Sequence, residues 1–158
     1  MQLPDSTNAS VNSGRMSRRR EQLVPGQPNV ILFESYVCRG NDERVHIDVQ
    51  SEARLNELEA LTRKLSTGEV KTIHLSEIEG AHWVPPLADV VLTVSARGSD
   101  VRNRRRGERL VCEWRESLEG WLESTEKIVV MIASTTPCHQ YFEGPDADSV
   151  TVELAYLE

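Results

Sequence analysis

Hydrophobic and polar residues alternate along much of the chain after residue 30, and this pattern predicts a series of β-strands. Val45, Ile47 and Val49 share one side of a segment at residues 44–50, with polar residues on the other side. Such alternation is typical of a half-buried strand. Further strands are predicted from apolar residues over 30–37, 70–75, 89–96 and 149–156.

One segment has a helical period instead. Ser51 is a suitable N-cap residue, and Gly68 is suited to end a helix. Between them, leucines recur on one side of a helix at Leu55, Leu58, Leu61 and Leu65. The spacing predicts a helix over residues 51–66.

Residues 107–125 allow two interpretations. Leu110, Trp114, Leu118 and Trp121 fit one face of a long helix that begins near Gly107. Alternatively, residues 109–114 form a strand and only residues 115–124 are helical. The next segment, residues 127–133, is apolar on both sides. It is therefore predicted to be a central strand covered on both faces.

An internal comparison bears on this choice. Residues 58–61 match residues 118–121 at an offset of 60, and residues 86–89 match residues 145–148 at an offset of 59. His82 and Trp83 match a second histidine–aromatic loop, with His139 and Tyr141, at an offset of about 57. Repeats of this length indicate repeated structural units. The comparison predicts two duplicated strand–helix–strand–strand units and favours a strand at residues 109–114.

These elements together predict the α+β class. We expect a mainly antiparallel sheet of about six or seven strands with two helices packed on one face. Parallel pairing across the first helix, between residues 44–50 and 70–75, is also expected. Residues 30–158 are assigned to a single α+β domain. Residues 1–29 are rich in Ser, Asn, Pro and Gly, which predicts a disordered N-terminal tail, and Met16 is an alternative start.

The chain is acidic, with a formal net charge of −7. The first 29 residues hold four arginines and two acids, so the remaining 129 carry a net charge of −9. No apolar run approaches the ~18 residues that a membrane-spanning helix needs. The Arg18–Arg20 run is followed by a polar, proline-containing segment rather than the apolar core of a secretory signal. A cytoplasmic location is therefore expected.

The sequence offers little for catalysis. It has no glycine-rich phosphate loop and no G-x-S-x-G motif, so no cofactor is expected. Three cysteines and four histidines are scattered without the short paired spacing of a zinc site. Cys138 and His139 are adjacent, and adjacent side chains of an extended chain point to opposite sides. A small hydrolase or transferase that uses His139 with Cys138 or a carboxylate remains the alternative to a non-enzymatic protein.

Two groups of residues are candidates for binding. The first contains the two histidine–aromatic pairs, His82 with Trp83 and His139 with Tyr141. The second is an arginine-rich segment that is predicted to be a mobile hairpin loop. Its members are Arg102, Arg104, Arg105 and Arg106.

Nucleic acid is a disfavoured partner for these arginines. The net charge of −9 repels a polyanion, no aromatic residue interleaves to stack a base, and ordering a mobile loop costs about 1–2 kcal/mol per residue. A weak nucleic-acid binder is kept as an alternative. His46, Asp48 and His74 are expected to lie on a polar outer face of the sheet, where solvent or a partner protein contacts them.

Two motifs carry a resemblance to a known group. Arg-Leu-Val-Cys-Glu-Trp at residues 109–114, followed by residues 115–124, resembles the strand–helix opening of small bacterial immunity proteins of polymorphic toxin systems. Cys-His-Gln-Tyr-Phe-Glu at residues 138–143, before the strand at 150–154, resembles their closing histidine–aromatic loop and strand. The resemblance covers roughly residues 108–157. It implies a non-catalytic protein that binds and neutralises a toxin, often through an acidic face. A small non-enzymatic cytoplasmic binding protein is the function we expect.

Overall fold

A computed structural model describes residues 29–158, so the tail predicted over residues 1–29 lies, except for its last residue, outside the described residues. The described part contains two α-helices, α1 (Glu52–Ser66) and α2 (Leu118–Ile132), and a 3-10 turn at Leu75–Glu77. Neither helix is long and apolar enough to cross a membrane. The strands are β1 (Ile31–Val37), β2 (Glu43–Val49), β3 (Thr72–His74), β4 (His82–Trp83), β5 (Leu87–Val94), β6 (Asp100–Arg106), β7 (Arg109–Glu116), β8 (Cys138–Phe142) and β9 (Thr151–Tyr156).

The strands form two mixed sheets. Sheet A has the order β4-β1-β2-β9-β8, and sheet B has the order β3-β5-β7-β6. Near the middle of each sheet two strands run parallel, β2 beside β9 and β5 beside β7. The pairs β1–β2, β8–β9, β3–β5 and β6–β7 are antiparallel. Each sheet therefore combines a hairpin from one half of the chain with a strand pair from the other half.

The α+β class and the two helices are confirmed, whereas the predicted sheet is only partly correct. The described strands number nine and form two sheets with three parallel pairs, including β1 beside β4. The pairing expected between residues 44–50 and 70–75 does not occur, because β2 lies between β1 and β9 while β3 pairs with β5. Alternation within a strand shows which side is buried, but it does not identify the neighbouring strand.

Helix α1 forms as its sequence predicts. The Ser51 hydroxyl accepts a hydrogen bond from the Arg54 backbone N–H at 3.2 Å, which satisfies a free donor of the first turn. Gly68 has φ of +73° just after the C-cap, a conformation that glycine adopts without steric cost. Leu55 and Leu65 are fully buried, so the leucine side faces the core.

Helix α2 settles the two interpretations of residues 107–125. Residues 109–116 are strand β7, and the helix begins only after Ser117, whose hydroxyl accepts from the Gly120 backbone N–H at 3.0 Å. The central strand predicted over residues 127–133 is wrong, because residues 127–132 are the second half of α2. The segment is apolar on all sides because Met131 faces the core while Val130 is exposed.

The two helices and both sheets share one hydrophobic cluster. The Trp121 ring lies 5.0 Å from the Trp114 ring, measured between centroids, and Trp121 Nε1 donates to the Thr93 carbonyl at 3.1 Å. The Thr62 and Thr125 hydroxyls lie 2.9 Å apart and join the helices. Burying one large side chain contributes about 1.5–3 kcal/mol, so this cluster holds the sheets and helices together.

The order of elements repeats along the chain at an offset that differs from the predicted one. Helices α1 and α2 each have 15 residues and begin at 52 and 118, which is 66 residues apart. Strands β2 and β7 begin at 43 and 109, and β3 and β8 at 72 and 138, again 66 residues apart. At this offset β8 corresponds to β3 and not to β4, so His139 and Tyr141 do not occupy the place of His82 and Trp83. A duplication of the sequence itself stays a prediction.

Candidate functional site

The first histidine–aromatic pair lies on a strand and not in the predicted loop. His82 and Trp83 form β4, at one edge of sheet A. The Trp83 ring stacks on the Phe33 ring with 4.0 Å between centroids and 5° between planes. This contact fixes Trp83 against the core, which is a structural role for the aromatic ring.

The second pair also lies on a strand. His139 and Tyr141 are two residues apart on β8, so they share one face, and their rings meet edge to face at 5.0 Å. His139 Nδ1 lies 2.9 Å from Glu158 Oε1, and this hydrogen bond raises the pKa of His139. The Arg44 guanidinium lies 5.7 Å from the centre of the Tyr141 ring. Cys138 instead packs against the hydrophobic cluster.

The structure does not bring the two pairs together. Strands β4 and β8 are the opposite edges of the five-stranded sheet A. With neighbouring strands about 4.8 Å apart, the two edges are separated by about 19 Å. The four side chains therefore do not form one binding site.

His46 and Asp48 are buried, 3% and 5% exposed, so the prediction that they lie on a solvent-exposed face is wrong. Strand β2 is internal to sheet A, and side chains of its two neighbours surround His46. Its Nδ1 lies 3.5 Å from Glu153 Oε1, and the Tyr36 hydroxyl donates to Glu153 Oε2 at 2.6 Å. His46 and this hydrogen bond lower the pKa of Glu153 to about 2. Burial and the same hydrogen bond raise the pKa of Tyr36.

The arginine-rich segment is a strand rather than a mobile loop. Arg102, Arg104, Arg105 and Arg106 all belong to β6, and the turn to β7 contains only residues 107 and 108. Gly107 has φ of +65°, which suits the first position of a two-residue hairpin turn. The segment looked like a loop because charged residues interrupt its alternation.

Position along β6 divides these arginines between two faces. Arg102, Arg104 and Arg106 point to the outer face of sheet B, and Arg105 points to the other face. Arg102 pairs with Asp100 at 3.0 Å, and Arg104 pairs with Glu113 at 2.7 Å. Strand β6 is an edge strand, where charged side chains oppose pairing with another chain. The entropy cost of ordering a mobile loop does not apply to a strand, so one argument against nucleic-acid binding is removed, and weak nucleic-acid binding stays an alternative prediction.

A histidine–aspartate pair that sequence reasoning did not connect lies on the outer face of sheet B. His74 Nδ1 lies 2.7 Å from Asp89 Oδ2, and the other oxygen of Asp89 accepts from the Ser76 backbone N–H at 3.0 Å. His74 is half-exposed and Asp89 is buried. The pairing of β3 with β5 creates this contact, and that pairing cannot be seen in the local pattern.

Burial and pairing define the surroundings of several cysteine and histidine side chains in the described residues. Burial raises the pKa of the Cys112 thiol, which disfavours the reactive thiolate. His74, His46 and His139 each lie beside a carboxylate. Within residues 29–158 no group of three or more His, Cys, Asp and Glu side chains is arranged to hold a metal ion.

The most unusual surface was missed from the sequence. Four large apolar side chains of α2 are exposed to solvent and form what we call the α2 patch. Its members are Leu118, Leu122, Val129 and Val130. The first three are spaced by four and seven residues, the signal of one helical face. Predicting residues 127–133 as a strand hid this signal.

Comparisons of the chain with protein-family models, with curated proteins and with solved structures found no match. The site is therefore interpreted from its own geometry.

Proposed function

We propose that this chain is a non-enzymatic protein-binding protein and that the α2 patch is its docking surface. The observation that carries the proposal is exposure: Leu118, Leu122, Val129 and Val130 are 47%, 44%, 43% and 64% exposed. Single exposed apolar residues are normal, whereas a group of exposed apolar residues on one helix favours an interaction site. Burying the patch against a partner removes this surface from water.

The charges around the α2 patch indicate the chemistry of the partner. Three glutamates, Glu119, Glu123 and Glu126, and one lysine, Lys127, are exposed on the same helix, and the whole chain carries a net charge of −7. A partner that presents apolar side chains flanked by Lys or Arg would complement this surface. A second copy of the chain is disfavoured, because it would bring the same glutamates together.

The resemblance to immunity proteins of toxin systems agrees with this proposal. Such proteins bind a toxin without catalysing a reaction and often do so through an acidic face. We propose a basic toxin-like protein as the partner class and a cytoplasmic location as the place of binding. The acidic border of the α2 patch supports that choice.

The alternative, a hydrolase or transferase, needs a nucleophile and a base within hydrogen-bond reach. Cys138 packs against the core, while His139 points to the other face of β8 and bonds to Glu158. This separation favours the binding function over an enzyme that uses these two residues.

The test compares capture of a partner by three forms of the protein. Leu122→Asn with Val130→Lys removes half of the α2 patch, and Val37→Lys removes an equally exposed apolar side chain from β1, where Val37 is 59% exposed. Each form is cross-linked in the cells that encode it, and bound proteins are quantified by mass spectrometry. We expect one partner with a basic surface, recovered by the wild type and by Val37→Lys.

The double variant should recover that partner at least ~10-fold less, since an interface anchor contributes about 2 kcal/mol or more. Direct titration of the identified partner against the three forms then gives the loss of affinity. Equal recovery by all three forms would contradict the α2 patch as the docking surface.

A further inference from the structure

A second site lies where the two β-hairpins leave the core. On β1, Ser35 is half-buried and Val37 is exposed; on β6, Asn103 is half-buried and Arg105 is exposed. Strands β1 and β6 thus carry side chains from their inner faces out of the core towards each other. Together with Leu110 of β7 they line an open cleft of about 180 Å3, which we call the hairpin cleft.

The hairpin cleft contains a buried acceptor without a donor. Asn103 Nδ2 donates to Glu43 Oε2 at 3.1 Å. Because the carboxylate of Glu43 can only accept, this contact fixes the orientation of the amide. Asn103 Oδ1 is then buried without a hydrogen-bond partner in the described part of the chain. Leaving a buried acceptor unsatisfied costs about 1–3 kcal/mol, so the cleft is suited to a ligand that donates a hydrogen bond.

A free cation lies beside this acceptor. Arg105 follows Asn103 by two residues on β6, so their Cα atoms are about 6.6 Å apart on one face. Among residues 29–158, Arg102 and Arg104 are paired with carboxylates, whereas Arg105 makes no ion pair. The cleft therefore offers acceptors at Asn103 and Glu43 and a guanidinium donor at Arg105.

We propose that the hairpin cleft binds a small zwitterion of the α-amino acid type with an aliphatic side chain. The ammonium group donates to Asn103 Oδ1 and to the carboxylate of Glu43, and the ligand carboxylate accepts from Arg105. The aliphatic side chain contacts Val37 and Leu110. An open cleft of about 180 Å3 has room for a ligand as small as valine.

The first test is an NMR titration of the full chain with L-valine. We expect saturable shifts of the Asn103 side-chain amide and of the Arg105 Nε–H, with a Kd of about 1 mM or tighter. Isobutylamine lacks the carboxylate and 3-methylbutanoate lacks the ammonium group. Each should bind at least ~10-fold more weakly than valine, because each loses one charge-assisted hydrogen bond.

The second test assigns the site. Arg105→Ala should abolish the valine shifts, whereas Arg106→Ala, which removes the same charge from the opposite face of β6, should leave them unchanged. Both side chains are exposed, so folding should be preserved, and the remaining amide spectrum verifies this. The proposal is overturned by any of three results: no saturable shift at about 10 mM valine, equal weakening by both variants, or equal binding of valine and 3-methylbutanoate.

Discussion

Helices α1 and α2 have the same length, the same kind of N-cap and the same place in the order of elements, yet they expose different chemistry. At the offset of 66 residues their buried sides correspond, with Leu55 matching Trp121 and Leu65 matching Met131. On the exposed side every residue of the α2 patch has a polar counterpart in α1. These counterparts are Glu52, Asn56, Arg63 and Lys64.

The comparison separates what the fold needs from what it does not need. Helix α1 packs in this fold with a polar outer face, so an apolar outer face is not a requirement of helix packing here. The exposed part of an apolar side chain adds no burial energy in the isolated chain. The comparison therefore agrees with the proposal that the α2 patch serves an interaction.

The largest expected effect tests the buried sides. Trp121→Ala should lower the free energy of unfolding by about 3–5 kcal/mol and Leu55→Ala by about 2–5 kcal/mol, because each creates a cavity in the core. Both side chains are fully buried. Urea denaturation followed by circular dichroism measures both values. A loss below about 1 kcal/mol for one variant only would show that the two helices do not play equivalent roles in the core.

The N-caps test whether the helices begin in the same way. Ser51→Ala and Ser117→Ala should each destabilise the protein by about 1 kcal/mol, because each leaves a backbone N–H of the first turn without its acceptor. Ser51→Gly and Ser117→Gly serve as controls and should cost only a few tenths of a kcal/mol, because glycine leaves the same N–H open to water. The urea denaturation midpoints of the four variants measure these costs. If only one of the two Ser→Ala variants is destabilised, the two helices do not depend on their N-caps in the same way.

The contact between the helices should have a smaller effect. The Thr125 hydroxyl lies 2.9 Å from the Thr62 hydroxyl and 2.7 Å from the Trp121 carbonyl. One hydroxyl proton serves only one of these acceptors at a time. A double-mutant cycle with Thr62→Val and Thr125→Val should give a coupling energy of about 0.5–1.5 kcal/mol. Strict additivity would show that the two hydroxyls do not interact.

The smallest effect on stability is expected at the surface. Replacing the α2 patch with its α1 counterparts (Leu118→Glu, Leu122→Asn, Val129→Arg and Val130→Lys) should change the free energy of unfolding by less than about 0.5 kcal/mol per substitution. Thermal and urea unfolding of this variant provide the measurement. A total loss above about 3 kcal/mol would mean that the α2 patch stabilises the fold. The apolar outer face of α2 would then need no binding function to explain it.

The same two helices show how far the sequence predicts this fold. Helix α1 was predicted within one residue because its leucines form one stripe and its other side is polar. Helix α2 was predicted only in part, because Val129 and Val130 mask the stripe with exposed apolar residues. A helix with apolar residues on its outer face departs from the amphipathic pattern on which the prediction depends.

The strand pairing and the candidate sites could not be predicted from the sequence, because they depend on contacts between residues that are far apart along the chain. Arg44 of β2 pairs with Thr151 of β9, which is 107 residues away in the sequence, and no local pattern encodes that contact. The same is true of the contact between His74 and Asp89 and of the hairpin cleft, which joins β1 to β6. The sequence gives the residue types at these positions, but it does not show which residues lie beside them in space.

The exchange of strand pairs between the two halves has a consequence for synthesis of the chain. Strand β2 needs β9, which begins at residue 151 and ends at residue 156, as its neighbour. At about 5–20 residues per second, the 107 residues between Arg44 and Thr151 take roughly 5–20 s to translate. Until then one edge of β2 has no neighbouring strand, so the part of sheet A that the first half of the chain supplies stays incomplete. Completion of sheet A on the ribosome must therefore wait until β9 has been synthesised.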